Sequence, residues 1–273
     1  MMKAFLFSVM LSCSLLAKAG KVDSVEVFSN IMKKNFKCIV ITPDSYHESK
    51  KTFPVVYLLH GYSGWYSNWV IRVPELKTYA DQFQMLIVCP EGGYSSWYFD
   101  SPIDSSMRYE TYVGNEVVAY IDKHYRTLPQ RSKRAITGLS MGGHGAIYIA
   151  WRNAQRFGAA GSMSGGVDLD MLKKRKEIAS LLGDTITQAQ NWKNNSVMNI
   201  IEKAPAENLR LLVDCGTEDY FFQINQNLHQ KMMKLGIAHD YIERPGKHDW
   251  NYWRNAIIYQ LTFFSEYFKQ PAS

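Results

Sequence analysis

Ser140 stands in the run Gly138-Leu139-Ser140-Met141-Gly142-Gly143, a G-x-S-x-G pattern with one further glycine directly behind it. A serine hydroxyl is a weak nucleophile until a base takes its proton and donors stabilise the oxyanion that its attack creates. The small neighbours let the chain turn sharply at the serine. An apolar run, Ala135-Ile136-Thr137, precedes the turn, and a helix-like run, His144 to Trp151, follows it. In a strand–turn–helix of this kind the serine sits above the strand end, over the free N–H groups and positive dipole end of the helix. A glycine-rich turn with an incidental serine is the plainer reading, and the flanking strand and helix favour the nucleophile.

The base is sought among seven histidines. His248 lies in Gly246-Lys247-His248-Asp249-Trp250, between the last expected strand and the last expected helix. Functional groups of open α/β sheets gather at the carboxyl ends of strands, so this position suits a base. His60 also follows a strand but belongs to a glycine loop, and His144 falls on the helix behind the serine. His47, His124, His229 and His239 have no comparable setting. The base needs a carboxylate to fix its tautomer. Asp219, in Cys215-Gly216-Thr217-Glu218-Asp219-Tyr220, is the first candidate, with the adjacent Glu218 as its rival. Both could instead be ordinary acidic residues at a helix N-terminus. Asp214 lies inside a strand and Asp249 sits beside the histidine, so their geometry is worse.

The oxyanion needs N–H donors. One is Met141, the residue after the serine. The second is expected from Leu58-Leu59-His60-Gly61-Tyr62-Ser63-Gly64, where Gly61 permits close approach and Tyr62 N–H is the candidate. Aromatic residues crowd the neighbouring loops. Trp97 and Tyr98, in the polar loop 92–105, are hard to explain as core and are expected to line a substrate pocket. Trp250, beside the histidine, is placed with them.

The elements that must position these residues are legible as hydrophobic runs. Val22 to Phe28 and Phe36 to Ile41 read as an antiparallel hairpin. Pro54 to Leu59, Met85 to Cys89, Ala135 to Thr137, Ala159 to Ser162, Leu209 to Cys215 and His239 to Arg244 read as further strands. Helical stretches alternate with them: Pro74 to Gln82, Tyr109 to His124, His144 to Asn153, Gln223 to Leu235 and Trp250 to Phe268. Such alternation predicts an α/β fold with a doubly wound sheet. Asp168 to Pro205 breaks the pattern. It is polar and helix-prone, and it is expected to be a cap-like insertion over the site, not a second domain.

The chain has 273 residues, enough for one large domain. Residues 1–19 read as a secretory signal peptide: a basic start at Lys3, an apolar run from Ala4 to Leu16, and Ala17-Lys18-Ala19 before Gly20. A lipoprotein anchor at Cys13 fits less well. Cys38, Cys89 and Cys215 each lie in an apolar run and are expected to be buried and free; neither a disulfide framework nor zinc spacing is visible. The net charge of +6 is scattered, apart from Lys173-Lys174-Arg175-Lys176, which reads as a solvated helix face. A nucleic-acid partner and stable membrane insertion are not expected.

Taken together, these motifs resemble the esterase D-like family, which includes tributyrin esterases, feruloyl esterases, S-formylglutathione hydrolases and mycolyltransferases. The motifs carrying the likeness are His60-Gly61-Tyr62-Ser63-Gly64 with Trp69, Ser96-Trp97-Tyr98, Tyr109 to Tyr112, Gly138 to Gly143, Gly216 to Asp219 and His248-Asp249-Trp250. The likeness covers nearly the whole chain after the leader and is nearest to the tributyrin and feruloyl esterase branch. It implies an α/β-hydrolase fold, a Ser140–His248–Asp219 triad, an oxyanion hole of Met141 and Tyr62 N–H groups, and no metal or organic cofactor. The expected activity is carboxylic ester hydrolysis by an exported enzyme, on short-chain acyl or hydroxycinnamoyl esters, free or attached to polysaccharide. The insertion departs from the family pattern, and the leader disfavours a cytosolic formylglutathione role. Acyl transfer to another alcohol is one alternative. A non-catalytic carbohydrate- or partner-binding module is the other, although such a module would be free to lose one of the groups that are all present here.

Overall fold

The apolar runs assemble into one eight-stranded sheet of order β1-β2-β4-β3-β5-β6-β7-β8. The computed structural model describes residues 20–204 and 207–270. The leader expected over residues 1–19, Cys13 included, lies outside the described residues, as does Pro205 at the end of the insertion. The strands are β1 (Lys21–Ser29), β2 (Lys34–Thr42), β3 (Val55–Leu59), β4 (Leu86–Pro90), β5 (Arg134–Gly138), β6 (Ala159–Met163), β7 (Arg210–Gly216) and β8 (Asp240–Arg244). β1 pairs antiparallel with β2, and β2 antiparallel with β4; all other pairings are parallel. Every residue of β3 to β6 is buried, as continuous apolar runs covered on both faces must be. β1 lies at the sheet edge and exposes alternate residues.

Among the described residues, the helices that flank the sheet outside the insertion include α1 (Leu76–Phe83), α2 (Val118–His124), α3 (Met141–Arg152), α4 (Phe222–Lys234) and α5 (Trp250–Lys269). Leu76 and Ala80 of α1 pack with Ala256, Leu261 and Phe264 of α5 in one apolar layer. Ile121 of α2, Ile147 of α3 and Leu228 of α4 belong to the layer on the opposite face. The result is a three-layer α/β fold. β5 lies between β3 and β6, so the serine turn at its carboxyl end opens near the middle of the sheet.

Three details differ from the sequence expectation. The single helix expected from Tyr109 to His124 is broken: Tyr112–Val117 forms a π-helical turn before α2. This turn buries Tyr112, Val113, Gly114 and Val117 while Glu116 accepts the Asn30 and Ile31 amides of the β1–β2 turn at 2.8 and 3.0 Å. Gly114 also lets the turn lie on α3, since a Cβ there would stand 3.2 Å from Ile149 Cγ2. The second difference is two short helices that were not expected, Asp44–Glu48 and Asn68–Arg72.

The third concerns the insertion, whose short helices are Lys176–Leu182, Ala189–Asn195 and Val197–Ile200. Polar in composition, it still buries Leu169, Ile178, Leu182, Trp192 and Val197 in the same layer as α3. Ser101 Oγ donates to Leu181 O at 2.6 Å, and Trp151 Nε1 to Lys203 O at 2.9 Å. Cys38, Cys89 and Cys215 are buried and free, and burial pushes each thiol pKa up.

Candidate active site

Ser140 has φ 55° and ψ −115°, a conformation costly for a residue with a side chain. Three hydrogen bonds hold it: Ser140 N–H donates to Met163 O at 2.9 Å, and Ser140 O accepts from His144 N–H at 3.1 Å and Gly166 N–H at 3.3 Å. The flanking glycines are required by close approach. A Cβ on Gly142 would lie 2.5 Å from His60 O and 2.7 Å from Leu59 O, and one on Gly138 would lie 2.6 Å from Gly142 O. β3 and β5 therefore meet the first turn of α3 with no room for a methyl group.

β7 and β8 deliver the partners. His248 Nε2 lies 2.9 Å from Ser140 Oγ, and His248 Nδ1 lies 2.9 and 2.8 Å from the two Asp219 carboxylate oxygens. Asp219 also accepts the Phe221 amide at 2.7 Å. An ionised carboxylate only accepts, so Nδ1 carries the ring proton and Nε2 faces the serine hydroxyl as an acceptor. The Asp219 side chain is fully buried and that of His248 is 10% exposed. Tyr220, Phe221 and Trp253 hold the imidazole, with ring centroids 4.2, 5.1 and 4.9 Å from it.

The rival carboxylates have other partners. Glu218 has its side chain 57% exposed and faces Lys247 at 3.9 Å. Asp214 is held by Arg244 at 2.7 Å and by the Tyr252 hydroxyl. Asp249 caps α5 through the Tyr252 amide at 3.0 Å. His144 is fully buried, which pulls its pKa down to about 4, and its Nε2 bonds to Asn195 O at 2.9 Å.

Tyr62 and Met141 N–H groups have no hydrogen-bond acceptor among the described residues. The loop bearing Tyr62 abuts the serine: a Cβ on Gly61 would be 3.4 Å from Ser140 Cβ. His60 contributes more than its place beside a glycine indicated. Its Nε2 accepts from Gly92 N–H at 2.8 Å, so its proton is on Nδ1, which donates to Gly61 O at 2.9 Å. Gly64 N–H donates to the same carbonyl at 3.0 Å. In a trans peptide the C=O and N–H point in opposite directions. Fixing Gly61 O therefore aims Tyr62 N–H. Replacing His60 by alanine is expected to lower kcat for an activated ester by about 10- to 100-fold, part of the value of one oxyanion donor. KM should change far less. Steady-state kinetics check this, and an unchanged kcat would remove His60 from the positioning of the donor.

A cavity of about 290 Å³ opens on Ser140 and His248; Trp97 and Trp250, expected at a substrate pocket, are among its lining residues, as is Tyr62. Tyr98 does not, which corrects the sequence expectation. Its side chain is fully buried, its hydroxyl donates to His60 O at 3.0 Å, and its ring fills the space left by Gly145, where a Cβ would be 2.5 Å from Tyr98 Cδ2. Trp97 is also nearly buried, and its indole N–H has no acceptor among the described residues. The insertion contributes Arg175 to this cavity. A larger cavity, about 1050 Å³, lies between α3 and the insertion and contains none of these residues. Among the described residues no group of three His, Cys, Asp or Glu side chains is placed to hold a metal, and no helix is long and apolar enough to cross a membrane.

A turn-borne serine at the end of a central parallel strand, bonded to a histidine and a buried aspartate from later strand ends, defines an α/β-hydrolase of the serine type. The esterase family model matches residues 29–264, and the chain belongs to that family. It is a serine esterase of the esterase D-like group, a carboxylic ester hydrolase. An acetyl esterase of Caldicellulosiruptor saccharolyticus is 25% identical over 263 residues, 89% of this chain and 97% of its own. A solved ferulic acid esterase superposes with a TM-score of 0.79 at 29% identity, over 92% of this chain and 100% of its own. A substrate-bound, fluorophosphonate-binding serine hydrolase of Staphylococcus aureus shares the fold, with a TM-score of 0.81 at 22% identity over 91% of this chain and 99% of its own.

Proposed function

We propose that Ser140, His248 and Asp219 act as a catalytic triad that hydrolyses short-chain acyl or hydroxycinnamoyl esters. The carrying observation is the unbroken chain of hydrogen bonds from Ser140 Oγ through His248 to Asp219, at 2.9 and 2.8 Å. Ser140 Oγ attacks the ester carbonyl as its proton passes to His248 Nε2. The carbonyl oxygen becomes an oxyanion between Met141 and Tyr62 N–H groups, and Asp219 stabilises the imidazolium. Collapse of the tetrahedral intermediate breaks the bond to the alcohol, which leaves with the proton from Nε2. Water then gives its proton to the same nitrogen and attacks the acyl-serine; as the bond from Ser140 Oγ to the acyl carbon breaks, Nε2 returns that proton to Oγ and the acid leaves. The chain supplies every proton acceptor and donor these steps need.

The acyl preference rests on the acetyl and ferulic acid esterases to which the chain is similar and on the aromatic lining at Trp97, Trp250 and Trp253. We also propose export, from the basic start, apolar run and Ala17-Lys18-Ala19 site. The experiment is a panel of para-nitrophenyl acyl esters beside methyl ferulate and acetylated xylan, run on protein purified from the exported fraction. Turnover of acetate or ferulate is the expected result. Turnover confined to long acyl chains, or a purified chain that retains Met1, would refute the corresponding half of the reading.

A further inference from the structure

Two guanidinium groups line the serine cavity, and its lining includes neither aspartate nor glutamate. Arg72 ends the short helix Asn68–Arg72. It lies 5.9 Å from the centre of the Trp250 ring and has no carboxylate partner among the described residues. Arg175 comes from the basic run Lys173–Lys176, which as sequence reads as a solvated face. Lys173 does pair outward, with Asp170 at 3.0 Å. Arg175 instead lines the cavity together with Tyr220, and its charge acts on the Tyr220 hydroxyl. Glu177 engages one of its nitrogens at 3.4 Å, leaving further donors of the five-donor guanidinium fork. The buried carboxylate of Asp219 is taken up by His248.

Aromatic contacts relate both cations to the imidazole. His248 returns its proton to the leaving alkoxide, so the alcohol departs across that ring. Tyr220, which lines the cavity with Arg175, is 4.2 Å from the imidazole. Trp250, which carries Arg72, is 5.5 Å from Trp253, and Trp253 is 4.9 Å from the imidazole. Both guanidiniums are thus connected to the His248 ring through aromatic side chains, Arg72 through Trp250 and Trp253 and Arg175 through Tyr220. Guanidinium matches carboxylate and phosphate geometry, and two like charges converging on one concave site concentrate anions there.

We propose that the preferred substrate is an ester whose alcohol portion carries a negative charge, as a carboxylate or a phosphate, read by Arg72 and Arg175. This rests on the serine esterase reading of the same site. The test compares kcat/KM for para-acetoxybenzoate and para-acetoxyphenyl phosphate with that for neutral para-acetoxybenzamide. At low ionic strength the better anionic ester should exceed the amide by about tenfold or more, and the better of the two identifies the group. The ratio should collapse at about 1 M salt, where the screening length falls to about 3 Å. It should also fall toward one in the Arg72→Gln/Arg175→Gln double variant, while Arg72→Lys/Arg175→Lys keeps part of it. Monomethyl succinate should gain nothing comparable over methyl butyrate, because its charge is on the acyl side. A wild-type ratio of one or less, a ratio that survives high salt or the double Gln change, or an equal gain for the succinate would overturn the proposal. Failure of the wild type to turn over any of these esters would instead refute the esterase reading, and this proposal with it.

Discussion

Replacing Ser140 by alanine is expected to lower turnover of an activated ester by about 10⁴- to 10⁶-fold, the cost of removing a nucleophile from this mechanism. The fold should be retained. The side-chain oxygen makes one hydrogen bond, to His248, and the strained turn is held by backbone bonds from Met163, His144 and Gly166, which an alanine keeps. Thermal unfolding of the variant should match the wild type while hydrolysis falls to the background rate. Activity within about tenfold of wild type would mean that another group attacks the ester.

The second large effect separates two adjacent carboxylates. Asp219→Asn should cost about 10⁴-fold in kcat, because an amide nitrogen facing Nδ1 favours the wrong imidazole tautomer. Glu218→Gln should change kcat by no more than about twofold, since exposed ion pairs contribute little and Glu218 faces only Lys247, at 3.9 Å. The comparison also guards against a general loss of structure, because both changes fall on the same turn after β7. A larger loss from the Glu218 change would reverse the assignment.

Most of the sheet was legible because its central strands are apolar on both faces. A run such as Pro54 to Leu59 admits few alternatives, and β3 begins one residue inside that range. The glycine turn was legible for a similar reason: G-x-S-x-G records backbone contacts, at Gly138 and Gly142, that tolerate nothing larger. The choice between Glu218 and Asp219 was not settled by sequence. Both follow the same strand, and only the path of the turn decides which one is buried against His248. Tyr98 was misjudged because its slot is made by absences. Gly92 and Gly145 are distant in sequence and lack the side chains that would fill the space its ring occupies.

The π-helical turn at Tyr112–Val117 was illegible because one extra residue per turn scarcely alters a hydrophobic period over so short a stretch. His60 and Arg175 were missed as site residues for opposite reasons. His60 acts through a peptide plane that no spacing reports, and Arg175 was masked by a run of lysines that face solvent.

Peptide mass mapping after reaction with a small fluorophosphonate is the most direct measurement of the central claim, that His248 activates Ser140 for attack. The reagent needs little of the pocket, so labelling reports activation of the nucleophile independently of substrate choice. One adduct is expected, on the peptide containing Ser140, formed in parallel with loss of esterase activity and strongly slowed by His248→Ala. Complete inactivation with the adduct on a different residue, or persistent hydrolysis once Ser140 is fully modified, would contradict it.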